Sequence, residues 1–321
     1  MNKIKVLDLF SGMGGFSRGF SELGADCTGV DLNLHSKESY RVLTGGKFIN
    51  ANLHTDMIED DAFDIIIGGP PCRPWSSINV TRRGINHPDY NLVNMFLQHV
   101  ELNRPEIFIM ENVLPLKGDP VYAKILEETR NMKYSVSSMK VVYSDYGANV
   151  KRSRLLLIGS KKFDVDDFLS KLRFFRSSPK TVREAIHELR DIDYGGLKDH
   201  IWPHLLTIDK YKKYYESGKF GWRILKWDEP APSFGNVMKT YTLHPDSFQV
   251  RKETRTISVA EALRIMGYPK GFAFPSGIPM GQRYQMIVDS VSPVFSRVMA
   301  RAIYNEILED DKYASAVRQT I

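Results

Sequence analysis

Residues 68 to 77 read Gly-Gly-Pro-Pro-Cys-Arg-Pro-Trp-Ser-Ser, directly after the apolar run 63–67. Cys72 therefore leaves the end of a buried strand on a double-proline turn. Proline fixes φ and holds the residue before it extended, so the direction of the thiol is set by the backbone and not by rotamer choice. A thiol presented in that way suits a nucleophile. The only other cysteine, Cys27, opens the apolar run 27–32 and reads as a small hydrophobe packed in a strand.

A second group of chemistry-bearing residues lies near the start, where Asp8-Leu9-Phe10-Ser11-Gly12-Met13-Gly14-Gly15-Phe16 joins a strand pattern to a helical one. Glycines at such a junction let a ligand approach the backbone closely. Asp31 closes the next strand pattern, where a doubly wound sheet puts a carboxylate against ribose hydroxyls. Together these predict an adenosine-type cofactor over Gly12, Gly14 and Gly15. The spacing is Gly-x-Gly-Gly and not Gly-x-Gly-x-x-Gly, which leaves a nicotinamide dehydrogenase as the lesser reading.

Positioning both groups requires alternating strands and helices. Strands are expected at residues 4–10, 27–32, 47–50, 63–67, 107–110, 137–143 and 155–159, with helices at 16–23, 36–43, 92–102 and 121–131 between them. That alternation predicts an α/β fold, a doubly wound and mostly parallel sheet. It stops after Gly159, and the irregular, turn-rich stretch that follows suggests a second, smaller domain. The division expected is 1–160 for cofactor binding and catalysis, 161–255 for the smaller domain, and 256–321 for a segment packing back on the first. Ser258 with Glu261 three residues on reads as a capping box stopped by Gly267 and Pro269, and residues 281–308 read as one last long amphipathic segment.

The chain of 321 residues is 42% hydrophobic, enough for a sizeable core, and no apolar run reaches the ~20 residues that span a bilayer. Residues 1–5 enter a strand pattern without a signal-peptide core, so a cytoplasmic protein without a membrane partner is expected. Two distant cysteines argue against a disulfide framework or a structural zinc site. His200 and His204 have metal-like spacing, but Pro203 between them breaks the helix, so no metal is expected. Residues 161–255 carry 19 basic and 14 acidic side chains, so five of the six net positive charges lie there, beside Trp202, Tyr211, Tyr214, Tyr215, Trp222 and Trp227. That suits a polyanion-facing surface as well as a solvated one.

The segment from Asp8 to Phe16, Pro70-Pro71-Cys72, Glu111-Asn112-Val113, Arg152-Ser153-Arg154 and the closing segment from Gln282 to Ala302 occur in the order found in the cytosine-C5 DNA methyltransferases, which the chain resembles over residues 1–159 and about 255–305. The resemblance implies a Rossmann-like methyltransferase fold with S-adenosylmethionine as donor. It places Phe10, Gly12, Asp31, Leu32, Asn52, Leu53, Pro70, Leu92, Asp289, Ser290 and Val291 at donor-contacting positions, and it makes 161–255 the target-recognition domain. It also implies double-stranded DNA as partner, hence a nucleoid-associated protein, and admits a cognate restriction endonuclease acting separately.

The implied chemistry is methyl transfer to C5 of a cytosine. That carbon is a poor nucleophile until a thiolate adds at C6, so Cys72 would attack, with Arg152 and Arg154, two apart on the strand they begin, available to favour the thiolate. Glu111 would hold N3 and the exocyclic amine, donating a proton to N3 if its pKa is raised. A duplex hides C6, so the base must be flipped out, and residues 73–91, carrying Arg82 and Arg83, would form the loop that closes over it.

Some positions depart from the family's pattern. Arg73 stands where glutamine is usual, Asn52 for an aspartate, Asn149-Val150 for Pro-Gln, Val288-Asp289 for Gly-Asn, and Ser292 for the first of two prolines. Arg73 and Asp289 together suggest a charge pair in place of an amide pair. An RNA methyltransferase of the same chemistry and a catalytically weak DNA-binding relative are the alternative readings.

Overall fold

The computed structural model describes residues 3–60, 63–76, 83–204, 208–217, 222–249 and 253–307. Arg82, most of the expected target-base loop before it, Lys219, Arg251, Lys252 and residue 308 lie outside the described residues. The chain divides into two compact units, one of Met1–Val142, Ser153–Arg176 and Phe295–Ile321, the other of Tyr143–Arg152 and Ser177–Val294.

The first unit is built on a sheet of seven strands. They are β1 (Lys5–Leu9), β2 (Asp26–Asp31), β3 (Lys47–Asn50), β4 (Ile65–Gly68), β5 (Ile107–Asn112), β6 (Ser135–Val142) and, beyond the two-residue β7 (Val150–Lys151) of the other unit, β8 (Ser153–Ser160). Their order is β3-β2-β1-β4-β5-β8-β6. Neighbours from β3 to β5 are parallel, and β8 runs antiparallel to both β5 and β6. A parallel strand covered on both faces reads as an unbroken apolar run, which is why Ile65 to Ile67 and Ile107 to Met110 are all buried. Helices α1 (Ser17–Glu22), α2 (Ser36–Thr44), α3 (Leu92–Asn103) and α4 (Pro120–Asn131) connect the strands, and α5 (Val165–Leu172) follows β8.

The amphipathic segment expected over 281–308 is built as two helices. In the second unit α6 (Val182–Ile186), α7 (Lys212–Glu216), α8 (Val237–Thr240) and α9 (Val259–Met266) precede α10 (Met280–Asp289); α11 (Pro293–Ile307) then begins after a break at Ser290, whose backbone is extended. Pro293 cannot donate to a preceding turn, so it opens a helix where a continuous one would have to pass. From Phe295 on, α11 belongs to the first unit and packs on α1 so closely that a Cβ at Gly19 would lie 2.3 Å from the Ser296 backbone.

In the second unit β9 (Ala231–Pro232) pairs in parallel with β7. The capping box at Ser258 and Glu261 is formed, and Gly267 closes α9 in the left-handed region at φ 89°. The aromatics expected on an open surface instead pack on one another. Tyr215 and Trp202 are buried. Trp222 lies with its ring 4.7 Å from Tyr211 and 5.3 Å from Tyr241, in a small core around Ile208, Tyr215 and Leu243.

Candidate active site

The strand register sets the site. Leu9 pairs with Gly68 and Gly68 with Met110, so the next residues of β1, β4 and β5, namely Phe10, Gly69 and Glu111, stand in a row at the carboxyl edge of the sheet. Between β1 and β4 the strand order changes direction, and in open α/β sheets ligands bind outside the carboxyl ends at such a point.

At the β1 end, Phe10 has φ 59°, a left-handed conformation that a bulky residue adopts only where its surroundings hold it. Gly12 and Gly14 follow at φ 50° and 89°. Gly12 N donates to Asp31 Oδ2 at 2.8 Å and Asn33 N to Asp31 Oδ1 at 2.7 Å, which fixes the carboxylate at the end of β2. A Cβ at Gly12 would meet nothing within 4 Å, whereas one at Gly14 would lie 2.8 Å from the Tyr40 ring. Gly12 thus faces open space and Gly14 is backed by α2. Gly15 is buried in the same turn.

Leu32 is 63% exposed beside Asp31, an apolar surface without protein cover. Asn52 opens a turn in which its Oδ1 accepts from His54 N at 3.2 Å, while Leu53 is buried in the core with Leu92 at the start of α3 close to full burial.

Beneath the glycine turn is a cluster that no sequence motif announces. Asp8 is 1% exposed and accepts from Ser17 Oγ at 2.6 Å; Ser17 Oγ lies 2.8 Å from Tyr40 OH. Burial pushes the Asp8 carboxyl up to about 7, against the Ser17 hydrogen bonds and with a further push from the Asp31 charge.

At the β4 end, Pro70 is buried and its carbonyl accepts from Asn112 Nδ2 at 3.1 Å. Cys72 is a half-buried cysteine outside any disulfide, and its carbonyl accepts from Trp75 N and Ser76 N, each at 3.0 Å. Cys27, by contrast, is 1% exposed, and burial raises its thiol far above the ordinary range. Gly68 is confined: a Cβ there would lie 2.6 Å from the Leu9 carbonyl. Asn112 ties the Cys72 turn to β5, and the Asn after Glu111 was its only signal in the sequence.

Strand β5 runs two residues beyond Met110, so Glu111 pairs with Leu156 inside the ladder and is 8% exposed. Arg154 Nε donates to Glu111 Oε1 at 2.8 Å. Oε2 lies beside the Cys72 turn, 3.6 Å from where a Cβ on Gly69 would be. Of the two arginines expected to begin the strand, only Arg154 lies in β8; Arg152 precedes it, buried, in the second unit, and its carbonyl accepts from Tyr143 N at 3.0 Å.

Asp289, Ser290 and Val291 also belong to the second unit. Asp289 is exposed and accepts from Gln285 Nε2 at 2.8 Å; Ser290 Oγ accepts from Tyr268 OH at 2.6 Å; Val291 is buried. Arg73 is exposed. His200 holds Ser258 Oγ at 3.0 Å and the Ile192 carbonyl at 3.1 Å, and no group of three acidic, His or Cys side chains suited to a metal occurs among the described residues. No helix among them is long and apolar enough to cross a membrane.

The carboxyl edge of the sheet thus gathers a glycine turn with an anchored carboxylate, a presented thiol and a buried Glu–Arg pair. Residues 4–305 match the family described as C-5 cytosine-specific DNA methylase. The type II methyltransferase M.FnuDI of Fusobacterium nucleatum is 25% identical, over 98% of this chain and 98% of its own length. The type II methyltransferase M.HindV of Haemophilus influenzae is 28% identical over 94% of this chain and 97% of its own. The Entamoeba histolytica methyltransferase EhMeth shares the fold with a TM-score of 0.73 at 16% identity, over 96% of this chain and 99% of that one. The chain belongs to the C-5 cytosine-specific DNA methylase family and is a DNA (cytosine-5-)-methyltransferase.

Proposed function

We propose that the protein transfers a methyl group from S-adenosylmethionine to C5 of a flipped-out cytosine in a specific double-stranded DNA sequence, through a covalent bond from Cys72 to C6. The observation that carries this reading is the row formed by the glycine turn, the Cys72 turn and Glu111 at the ends of three adjacent strands.

The residues present fit the donor. Gly12 opens onto space, Asp31 is held where its remaining lone pairs can accept from hydroxyls, and exposed Leu32 supplies an apolar face. Phe10, Gly12, Gly14, Gly15, Asp31, Leu32, Asn52, Leu53, Pro70 and Leu92 would hold the donor. When bound, it supplies an electrophilic methyl group.

The chain's own residues do the rest. The Cys72 thiolate adds to C6, forming a carbon–sulfur bond and pushing an electron pair toward C5 and N3, which makes C5 nucleophilic. Glu111, positioned by Arg154, holds N3 and the exocyclic amine as charge builds there. After transfer the C5 proton leaves to base, the electron pair of the C5–H bond restores the double bond, and the thiolate is expelled. Residues 161–255 would read the DNA through their surplus of cations, and because the relatives are type II methyltransferases a separate endonuclease cutting the same sequence fits the reading. Activity on the cell's own DNA would place the protein at the nucleoid, in the cytoplasm.

The test is incubation with tritiated donor and either duplex DNA or RNA, followed by trapping on DNA containing 5-fluorocytosine. Label in DNA and a covalent adduct lost in Cys72→Ser are expected. Label confined to RNA would overturn the choice of substrate, and methylation without an adduct would overturn the covalent route.

A further inference from the structure

Trp75, three residues after Cys72, and Tyr90, two residues before α3, meet on one carboxylate. Trp75 Nε1 donates to Asp119 Oδ2 at 2.9 Å, and Tyr90 OH donates to Asp119 Oδ1 at 2.6 Å. The two rings lie 5.6 Å apart. Asp119 is also the N-cap of α4, its Oδ1 accepting from Val121 N at 3.0 Å. Burial alone would raise its carboxyl; the Tyr90, Val121 and Trp75 donors together bring it below the usual range, so it is an anion at neutral pH.

Trp75 is 7% exposed, so its indole N–H needs an acceptor and the ring cannot turn without giving this one up. Its backbone N–H donates to the Cys72 carbonyl, as does that of Ser76, and Gly84 N donates to the Pro74 carbonyl at 2.9 Å. A rotation at Trp75 is therefore passed through a single turn to Cys72. We propose that Asp119 is a positioning residue for the nucleophile: by clamping Trp75 and Tyr90 it fixes the turn that aims the Cys72 thiol. The proposal rests on reading Cys72 as the nucleophile.

The informative variant is Asp119→Asn, because asparagine keeps the N-cap of α4 and one acceptor oxygen but turns the other into a donor facing a donor. Two rates are measured on the full chain. One is alkylation of Cys72 by iodoacetamide, located by mass, with buried Cys27 as the internal control. The other is single-turnover methylation, with donor affinity measured alongside.

Asp119→Asn should change the Cys72 alkylation rate severalfold and lower the single-turnover rate by about tenfold or more, since small displacements of a reacting atom are costly. Donor affinity should stay unchanged. Tyr90→Phe and Trp75→Phe should each have smaller effects that fail to add, because both act through one carboxylate. Should Asp119→Asn not fold, Tyr90→Phe carries the same test. Alkylation and single-turnover rates equal to those of the unaltered protein would overturn the proposal. Absence of methyl transfer by the unaltered protein would instead sink the functional reading, and the alkylation arm would still decide whether Asp119 orients Cys72.

Discussion

Arg154 and Glu111 form an ion pair across two antiparallel strands, Nε to Oε1 at 2.8 Å, with side chains 12% and 10% exposed. Register makes it: Glu111 faces Leu156, so Arg154 is its diagonal neighbour on the same face of the sheet. Removing one partner of a buried pair strands the other charge. Arg154→Ala should therefore cost about 3 kcal/mol of stability in urea unfolding at pH 7, and a loss near zero would show that water replaces the guanidinium.

Glu111→Gln keeps the shape and removes the acid. If Glu111 holds N3 as charge develops, the single-turnover rate should fall by about 100-fold, with donor affinity unchanged. A rate equal to that of the unaltered protein would take Glu111 out of the mechanism.

The two cysteines should separate chemistry from packing. Cys72→Ser should abolish methylation while DNA binding persists, because a hydroxyl cannot add to C6 at a useful rate and the DNA-reading residues are untouched. Cys27 sits in β2 at 1% exposure, so Cys27→Ser should lower stability and leave the single-turnover rate alone. Near-normal turnover in Cys72→Ser would remove the nucleophile.

The inner strands were legible because strands covered on both faces are unbroken apolar runs, as at Ile65 to Ile67; the exposed edge strand Lys47–Asn50 is also predicted to the residue. Strand ends were less so, since what carries β5 on through Glu111 and Asn112 is pairing with Leu156 and Leu155, which no local pattern encodes. The helix break before Pro293 was written in the sequence, but the amphipathic period on both sides hides it. Aromatics beside cations read as a surface, and long-range packing, which no local pattern encodes, draws Trp222 and Tyr215 into a small core instead. The Asp119 clamp had no local signal at all, because Trp75 and Tyr90 lie 44 and 29 positions away from Asp119 with no shared period.

Two glycines of one turn should respond differently to alanine. Gly12 and Gly14 both have positive φ, but only at Gly14 would the added Cβ strike the Tyr40 ring, at 2.8 Å. Gly12→Ala should cost about 1 kcal/mol of backbone strain and weaken donor binding, since its methyl group enters the open side of the turn. Gly14→Ala should cost roughly 1–3 kcal/mol more through overpacking, seen as a lower unfolding midpoint. Equal stability losses would mean that Tyr40 yields.

Asp8 should give the protein a pH signature of its own. Its carboxyl has an ordinary value of 3.8 and is pushed up to about 7 in the fold, first by burial and then by the Asp31 charge, with the Ser17 hydrogen bonds opposing. Between those values the folded chain holds a proton that the unfolded chain has lost, so stability falls as pH rises through the window and the loss is complete above pH ~7. Buried His244, brought down to about 4 by desolvation, acts in the opposite sense: there the unfolded chain binds the extra proton, and stability rises with pH between the two values. The Asp8 contribution is therefore read as a difference between variant and unaltered protein. Asp8→Asn keeps an acceptor for Ser17 Oγ and a donor where the neutral acid has one, so it mimics the protonated state. It should match the unaltered protein near pH 4 and exceed its stability above pH 7, by at most about 4 kcal/mol for a shift of about three pKa units. Urea midpoints of the two proteins from pH 4 to pH 8 check this. Parallel curves would show that Asp8 keeps its charge throughout and that Ser17 and Tyr40 suffice to hold it.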